Sequence, residues 1–150
     1  MDFIFDIDGT MADISHRLHH LEQKPVDWDA FFSKMDRDKP ILPSIFIIRS
    51  LVEAGHTVIF CTGRSDKYRR MTIDWIYEFV YPYFKDNMHL YMRRDGDRRP
   101  DTDVKLELLH EMRKDGLNPE AVFEDRKRLC EMWINNGMWV YDCGMGNGNF

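Results

Sequence analysis

The stretch Phe3-Ile4-Phe5-Asp6-Ile7-Asp8-Gly9-Thr10 is the key to how this chain folds. It opens with three consecutive apolar residues, aromatic or β-branched and too few for a helix, which read as a buried strand. That strand runs straight into two carboxylates. Residues i and i+2 share one face of an ideal strand, so Asp6 and Asp8 are expected to point the same way. Gly9 permits a sharp backbone turn that a residue carrying a Cβ resists. Two acids at the mouth of a sheet repel one another unless a cation neutralises them, and oxygen donors of this kind suit Mg2+. The plainer alternative is a strand end with two solvated acids.

The same rhythm repeats along the chain. Apolar runs at 56–61, 89–92, 121–123 and 139–141 read as further buried strands. Between them lie amphipathic stretches with helical spacing. Residues 44–54 carry Ile45, Ile48, Leu51 and Val52 on one face, and Gly55 stops them. Residues 65–79 carry Met71, Trp75 and Phe79; residues 103–114 carry Leu106, Leu109 and Met112; residues 126–136 carry Leu129, Met132 and Trp133. Such alternation predicts an α/β fold: a Rossmann-like, mainly parallel sheet with helices on both faces.

Residues 11–39 break the rhythm and are expected to form a small lid insertion after the first strand, with short helices around 14–23 and 27–35. Trp28, Phe31 and Phe32 read as lid core, the alternative being a surface that stacks a nucleobase. His16 and His20, at i and i+4, read as a solvated helix face, the alternative being a metal pair. The biased tail at 144–149 is expected to be mobile or ordered by packing of Phe150.

In open parallel sheets ligands sit beyond the carboxyl ends of the strands. The second strand ends in Cys61-Thr62-Gly63-Arg64, where a hydroxyl, a glycine amide and a guanidinium make a phosphate grip. The alternative is an ordinary strand-to-helix turn capped by Ser65. Lys105 opens a helix against the helix dipole, which argues for a local anionic partner, the alternative being a solvated lysine. The run Phe123-Glu124-Asp125-Arg126 repeats the acid-after-strand pattern, and Asp125 can cap the next helix or bind a metal. Arg93-Arg94 and Arg98-Arg99, broken by Asp95, Asp97 and Asp101, read equally as a balanced surface loop or as a backbone-contacting loop leading to Lys105.

A length of 150 residues predicts one domain, 1–150, with the lid as its insertion. A chain of this size buries roughly 70% of its unfolded surface. An apolar fraction of 43% and an aromatic fraction of 13% exclude a disordered or collagen-like chain. A net charge of −5 excludes a general polyanion binder, so contact with nucleic acid must come from a local patch. Three cysteines without metal-ligand spacing predict reduced thiols. Without a basic, apolar leader or a run of about 20 apolar residues, a soluble cytoplasmic protein is expected.

Asp-x-Asp-Gly-Thr, Thr-Gly-Arg, a lysine and an acidic pair, in that order, resemble the four motifs of the haloacid dehalogenase (HAD) superfamily of phosphotransferases. The chain is most similar to the 3'-phosphatase domain of bacteriophage polynucleotide kinases. That likeness is carried by Tyr68-Arg69-Arg70-Met71-Thr72, the Asp101 to Lys105 spacing, Glu124-Asp125-Arg126 with Glu131-Met132-Trp133, and the Gly-Asn-Phe ending. Arg17 stands where that group carries a functional arginine. The group usually has two aspartates where this chain has Glu124-Asp125, which leaves Glu124 without an assigned role. No Gly-x-x-x-x-Gly-Lys-Ser/Thr string occurs, so no kinase half is expected.

The resemblance implies a phosphomonoesterase working through an aspartyl-phosphate. Asp6 would attack phosphorus; Asp8 would protonate the leaving oxygen and then activate water. Mg2+ would be held by the Asp6 carboxylate, the Asp8 backbone carbonyl and Asp125. Thr62, Gly63 and Lys105 would hold the transferring group, Arg64 and Arg17 would bind phosphate or the substrate's backbone, and Asp101 would orient Lys105 or Arg64. The expected substrate is a 3'-phosphate on a nucleic-acid end or nucleotide. The alternatives are a phosphatase of free nucleotides or other small phosphomonoesters, and a catalytically silent binding domain, against which the intact motifs argue.

Overall fold

The structure, a computed structural model, describes residues 1–80, 82 and 88–144. In chain order β1 (Asp2–Phe5) leads into the insertion: β2 (Ala12–Asp13), a 3-10 turn at Ser15–Leu21, α1 (Trp28–Phe32), a 3-10 turn at Met35–Arg37 and β3 (Lys39–Pro40). Next come α2 (Leu42–Glu53), β4 (Thr57–Ser65), a 3-10 turn at Asp66–Tyr68, α3 (Arg69–Phe79) and β5 (His89–Arg93). The last elements are α4 (Asp101–Lys114), β6 (Pro119–Glu124), α5 (Lys127–Asn135) and β7 (Trp139–Asp142).

Five strands form one sheet in the order β5-β4-β1-β6-β7, every pairing parallel. The chain leaves β1 on one side through α2 and α3, then returns on the other through α4 and α5. The direction of winding therefore switches at β1, and the carboxyl end of β1 is where such a sheet opens a crevice.

Both faces of the sheet are covered, which is why its strands read as continuous apolar runs. Phe3, Phe5, Val58 and Phe60 face α2 and α3, meeting Ile45, Ile48, Trp75 and Ile76. Ile4, Ile59, Cys61 and Val122 face the other layer, meeting Val104, Leu108, Leu109 and Met112 of α4 and Leu129 and Trp133 of α5. Full burial of side chains this size contributes about 1.5–3 kcal/mol each.

Several boundaries differ from expectation. Asp6 and Asp8 do not share a strand face, because β1 ends at Phe5. The chain instead wraps round the Ile7 carbonyl, which accepts from the amides of Thr10, Met11 and Ala12 at 3.2, 3.0 and 3.0 Å, and Gly9 takes φ +85°. The second strand continues through Thr62-Gly63-Arg64 to Ser65, since β5 offers it a partner with a register shift between Thr62 and Ser65. Ser65 does cap the 3-10 turn at Asp66–Tyr68, its hydroxyl accepting from the Lys67 amide at 3.2 Å. Helix α3 buries Thr72, Trp75 and Ile76, while Met71 and Phe79 are only half-buried. The insertion is closed at its base by the antiparallel pair β2–β3, which its polar sequence did not announce.

Of the tail at 144–149, all but Gly144 lies outside the described residues, as does Phe150. No helix among the described residues is long and apolar enough to cross a membrane.

Candidate active site

Two buried charge clusters meet beyond the carboxyl end of β1. The first is built by Asp6, just past β1; Glu124, the last residue of β6; Asp125, the next; and Lys105, one turn into α4. Lys105 Nζ donates to Asp6 Oδ1 at 2.6 Å and to Glu124 Oε2 at 2.7 Å. The anionic partner that a lysine near a helix start called for is therefore a pair of carboxylates. Burial works to lower the Lys105 pKa, but Asp6 and Glu124 outweigh it and hold the ammonium charged. Glu124 is locked from three further directions: Trp133 Nε1 donates to it at 3.3 Å, and the amides of Asp125 and Arg126 at 3.2 and 3.3 Å. The residue left unassigned by sequence thus fixes the lysine.

Carboxylate oxygens of Asp6, Glu124 and Asp125 lie within 4.8 Å of one another. Three carboxylates against one ammonium leave the cluster short of two positive charges. Asp125 Oδ1 is buried without a hydrogen-bond partner among the described residues, as is Thr10 Oγ1. Burial, and then the charge of Glu124, push Asp125 up to about 7 and Asp6 well above the ordinary carboxylate range. A set of hard oxygen donors two charges short, with one donor orphaned, fits a divalent cation such as Mg2+. Gly9 makes the approach possible: a Cβ there would lie 2.2 Å from Asp125 Oδ2.

The second cluster is balanced. Asp8 Oδ1 accepts from Arg17 Nη2 at 2.7 Å and from Arg64 Nε and Nη2 at 3.0 and 2.6 Å. Behind them Asp38 Oδ2 accepts from Arg17 Nη2 at 2.7 Å and Arg64 Nη2 at 3.1 Å, and its Oδ1 from Arg17 Nε at 2.8 Å. Burial raises Asp8, but the two guanidiniums outweigh it and hold its carboxyl well below the usual range. The two aspartates of one motif therefore sit in opposite fields, Asp6 among acids and Asp8 among bases. Pairs of acids pushed apart in this way mark division of labour in acid–base sites.

Thr62 and Gly63 stand at the same mouth. Thr62 Oγ1 accepts from the Arg64 amide at 3.2 Å, and a Cβ on Gly63 would meet Asp101 Oδ1 at 3.1 Å. Asp101 makes no hydrogen bond to Lys105 or Arg64; its carboxylate accepts from Arg93 and Arg126. Arg93 braces its own loop, donating to the carbonyls of Gly63, Asp97 and Arg99 at 3.0, 3.0 and 2.7 Å. Arg99 pairs with Asp97 and Glu107.

In the lid His16 pairs with Asp38 at 2.7 Å rather than with His20, because Ser15–Leu21 is a 3-10 turn that does not align i with i+4. Phe31 is lid core, 3% exposed, with the Arg17 guanidinium 4.3 Å from its ring centroid. Trp28 is not core; it is 57% exposed. Cys61 is buried under the site, where burial pushes its thiol up to about 12. Sequence reading missed Asp38 altogether. It lies in the alternating run Asp36-Arg37-Asp38-Lys39, which looks like any solvated loop, and only its burial shows that it holds both arginines.

Residues 2–150 match the family model of the polynucleotide kinase PNKP phosphatase domain. A protein of Autographa californica nuclear polyhedrosis virus described as a bifunctional polynucleotide kinase/RNA ligase is 28% identical over 129 residues, covering 85% of this chain and 17% of that protein. A chain in the structure of a Pnkp1/Rnl/Hen1 complex superposes with a TM-score of 0.76 at 25% identity, covering 94% of this chain and 45% of the other. The class C acid phosphatase from Bacillus anthracis with tungstate bound shares the fold, with a TM-score of 0.67 at 14% identity over 96% of this chain and 67% of that one. The chain spans less than half the length of the first two of these relatives. With the doubly wound sheet, the lid after β1 and a family match over residues 2–150, the chain belongs to the polynucleotide kinase PNKP phosphatase domain family of the HAD superfamily.

Proposed function

We propose that this chain is a Mg2+-dependent phosphomonoesterase that removes 3'-phosphates from nucleic-acid ends or nucleotides. The observation that carries the reading is the separation of Asp6 and Asp8 into opposite fields at the end of one strand. The Asp6 and Asp125 carboxylates and the Asp8 carbonyl would hold Mg2+, which when bound would supply the charge that lets an anionic nucleophile approach an anionic phosphate.

Lys105 grips Asp6 through Oδ1, which leaves Oδ2 to attack. The Asp6 O–P bond forms as the bond from phosphorus to the substrate's 3'-oxygen breaks, and Asp8 delivers its proton to that oxygen. In the second half Asp8 takes a proton from water, the water oxygen bonds phosphorus, and Asp6 is released. At rest the guanidiniums keep Asp8 ionised. A dianionic phosphate competes for Arg17 and Arg64, and as they turn to it Asp8 regains affinity for a proton. Thr62 and Lys105 hold oxygens of the transferring group. The substrate's polymer character is supported by the family match and by likeness to proteins named for polynucleotide kinase and RNA ligase.

The test is phosphate release with and without Mg2+ from an oligonucleotide 3'-phosphate, its 5'-phosphate counterpart, and free 3'- and 5'-nucleotides. The 3'-phosphorylated oligonucleotide is expected to win by a large factor. Preference for a free nucleotide would replace the polymer reading, and Asp6→Asn is expected to abolish turnover.

A further inference from the structure

We propose that Trp28 is the platform on which the base of the substrate's terminal nucleotide stacks, so that the lid selects for a nucleobase while the strand ends handle the phosphate. The inference rests on the phosphatase reading above and names what that site selects for.

Single exposed apolar residues are ordinary and need no explanation. Trp28 differs because its exposure has an ordered backing. Its ring is stacked on Phe32, with centroids 6.0 Å apart and planes at 23°, and Phe32 in turn meets Tyr68 at 5.6 Å. Phe31 meets Trp28 in a T-shaped contact, with centroids 6.2 Å apart. Phe31 lies against the Arg17 guanidinium, and Arg17 Nη2 donates to Asp8. One ring contact, one cation–π contact and one hydrogen bond therefore link the exposed indole to the acid–base residue.

The platform is fixed in place. Asp27 caps α1 by accepting from the Ala30 amide at 2.9 Å. Asp29 accepts from Tyr68 Oη at 2.6 Å and Lys67 Nζ at 3.2 Å. Those contacts tie α1 to the segment just after Thr62-Gly63-Arg64, so the rings and the phosphate grip share one frame. Lys67 Nζ, paired with Asp29, lies 5.5 Å from the Tyr68 ring centroid and so puts an ammonium group beside the rings. Aromatic rings with adjacent cations bind successive bases without reading their identity, because every base has a π face. The structure thus assigns Trp28 selection for a base, not for which base.

The molecule contains its own control. Trp139, on the edge strand β7, is 69% exposed, whereas Trp75 and Trp133 are buried. In an Asp6→Asn, Trp139→Phe protein, Trp28 is the exposed emitter. Thymidine 3'-phosphate is expected to quench its fluorescence and inorganic phosphate is not. In kinetics, the ratio of kcat/KM on an oligonucleotide 3'-phosphate to that on the same oligonucleotide with an abasic terminal residue is expected to fall roughly 5- to 100-fold in Trp28→Ala, the size of one base stack. Trp28→Phe should keep most of the ratio and Trp139→Ala all of it. An unchanged ratio in Trp28→Ala, or equal loss on both substrates, overturns the inference. Should the wild type release no phosphate from either oligonucleotide, the phosphatase reading fails by itself. Quenching then decides base stacking by itself: quenching by thymidine 3'-phosphate but not by inorganic phosphate upholds Trp28 as a nucleobase platform, and its absence overturns it.

Discussion

The Glu124 carboxylate accepts from four groups among the described residues and is fully buried, and its charge acts on both Asp6 and Asp125. Glu124→Gln keeps the shape and the acceptor for Trp133 but removes that charge. The Asp125 pKa is then expected to fall from about 7 towards the ordinary carboxylate range, because Glu124 is the largest charge raising it, after burial. Carboxyl NMR titration of the metal-free protein reads this directly. Lys105→Met is harsher, since it leaves Asp6 and Glu124 buried without their cation. A cost of about 3–5 kcal/mol in urea unfolding is expected, as for any broken buried pair. Gly9→Ala adds a Cβ 2.2 Å from Asp125 Oδ2 at a residue with φ +85°. The backbone alone costs about 1–2 kcal/mol. The displaced carboxylate should also weaken Mg2+ binding, and calorimetric titration with Mg2+ separates that loss from the loss in stability.

Among the elements, the lid is held by charge and one indole as well as by the buried apolar side chains of Met11, Ala12, Ile14, Phe31 and Met35. Asp38 ties Arg17 of the lid to Arg64 of β4, and its backbone carbonyl accepts from Trp75 Nε1 of α3 at 2.8 Å. Asp38→Ala leaves two buried guanidiniums sharing the charge of Asp8, with only the neutral acceptors Thr72 Oγ1 and the Phe31 carbonyl beside it among the described residues. Faster amide exchange across residues 12–40 is expected, with the sheet strands still protected; equal exchange would show that the lid is held by something else. Elsewhere Arg49 of α2 donates to the carbonyls of Val80 and Phe79 at 2.6 and 3.0 Å, satisfying the end of α3. Arg49→Ala should cost about 1–2 kcal/mol while sparing kcat, because none of these groups touches the site.

For the protein as one body the decisive quantity is the charge balance at the switch point of the sheet. Between pH about 4 and about 7 the unfolded chain has released the Asp125 proton while the folded metal-free protein still holds it. Stability of the metal-free protein therefore falls as pH rises through that window, by about 1.4 kcal/mol per pH unit from Asp125, and Asp6, whose carboxyl is also raised, acts in the same sense. The depressed carboxylates Asp8 and Asp101 act in the opposite sense, but only as pH falls below the ordinary carboxylate range, outside this window. Added Mg2+ should stabilise the protein most above pH about 7, where Asp125 has lost its proton, and least near pH 5. Thermal melts across pH with Mg2+ or a chelator check both slopes; a Mg2+ shift that is flat with pH would remove Asp125 from the metal site.

The layer architecture was legible in the amino-acid sequence, because buried parallel strands need unbroken apolar runs and their covering helices need apolar stripes. So were the residues at the strand ends, since Asp6, Asp8, Thr62, Lys105 and Asp125 lie where the apolar runs stop or a helix starts. How these charges are shared emerges only on folding. Asp38 pairs with residues 21 and 26 positions away, and Lys105 reaches Asp6 across 99. A polar residue in a loop looks the same in sequence whether water or a buried guanidinium receives it. The difference is burial, and burial exists only once distant segments have packed together.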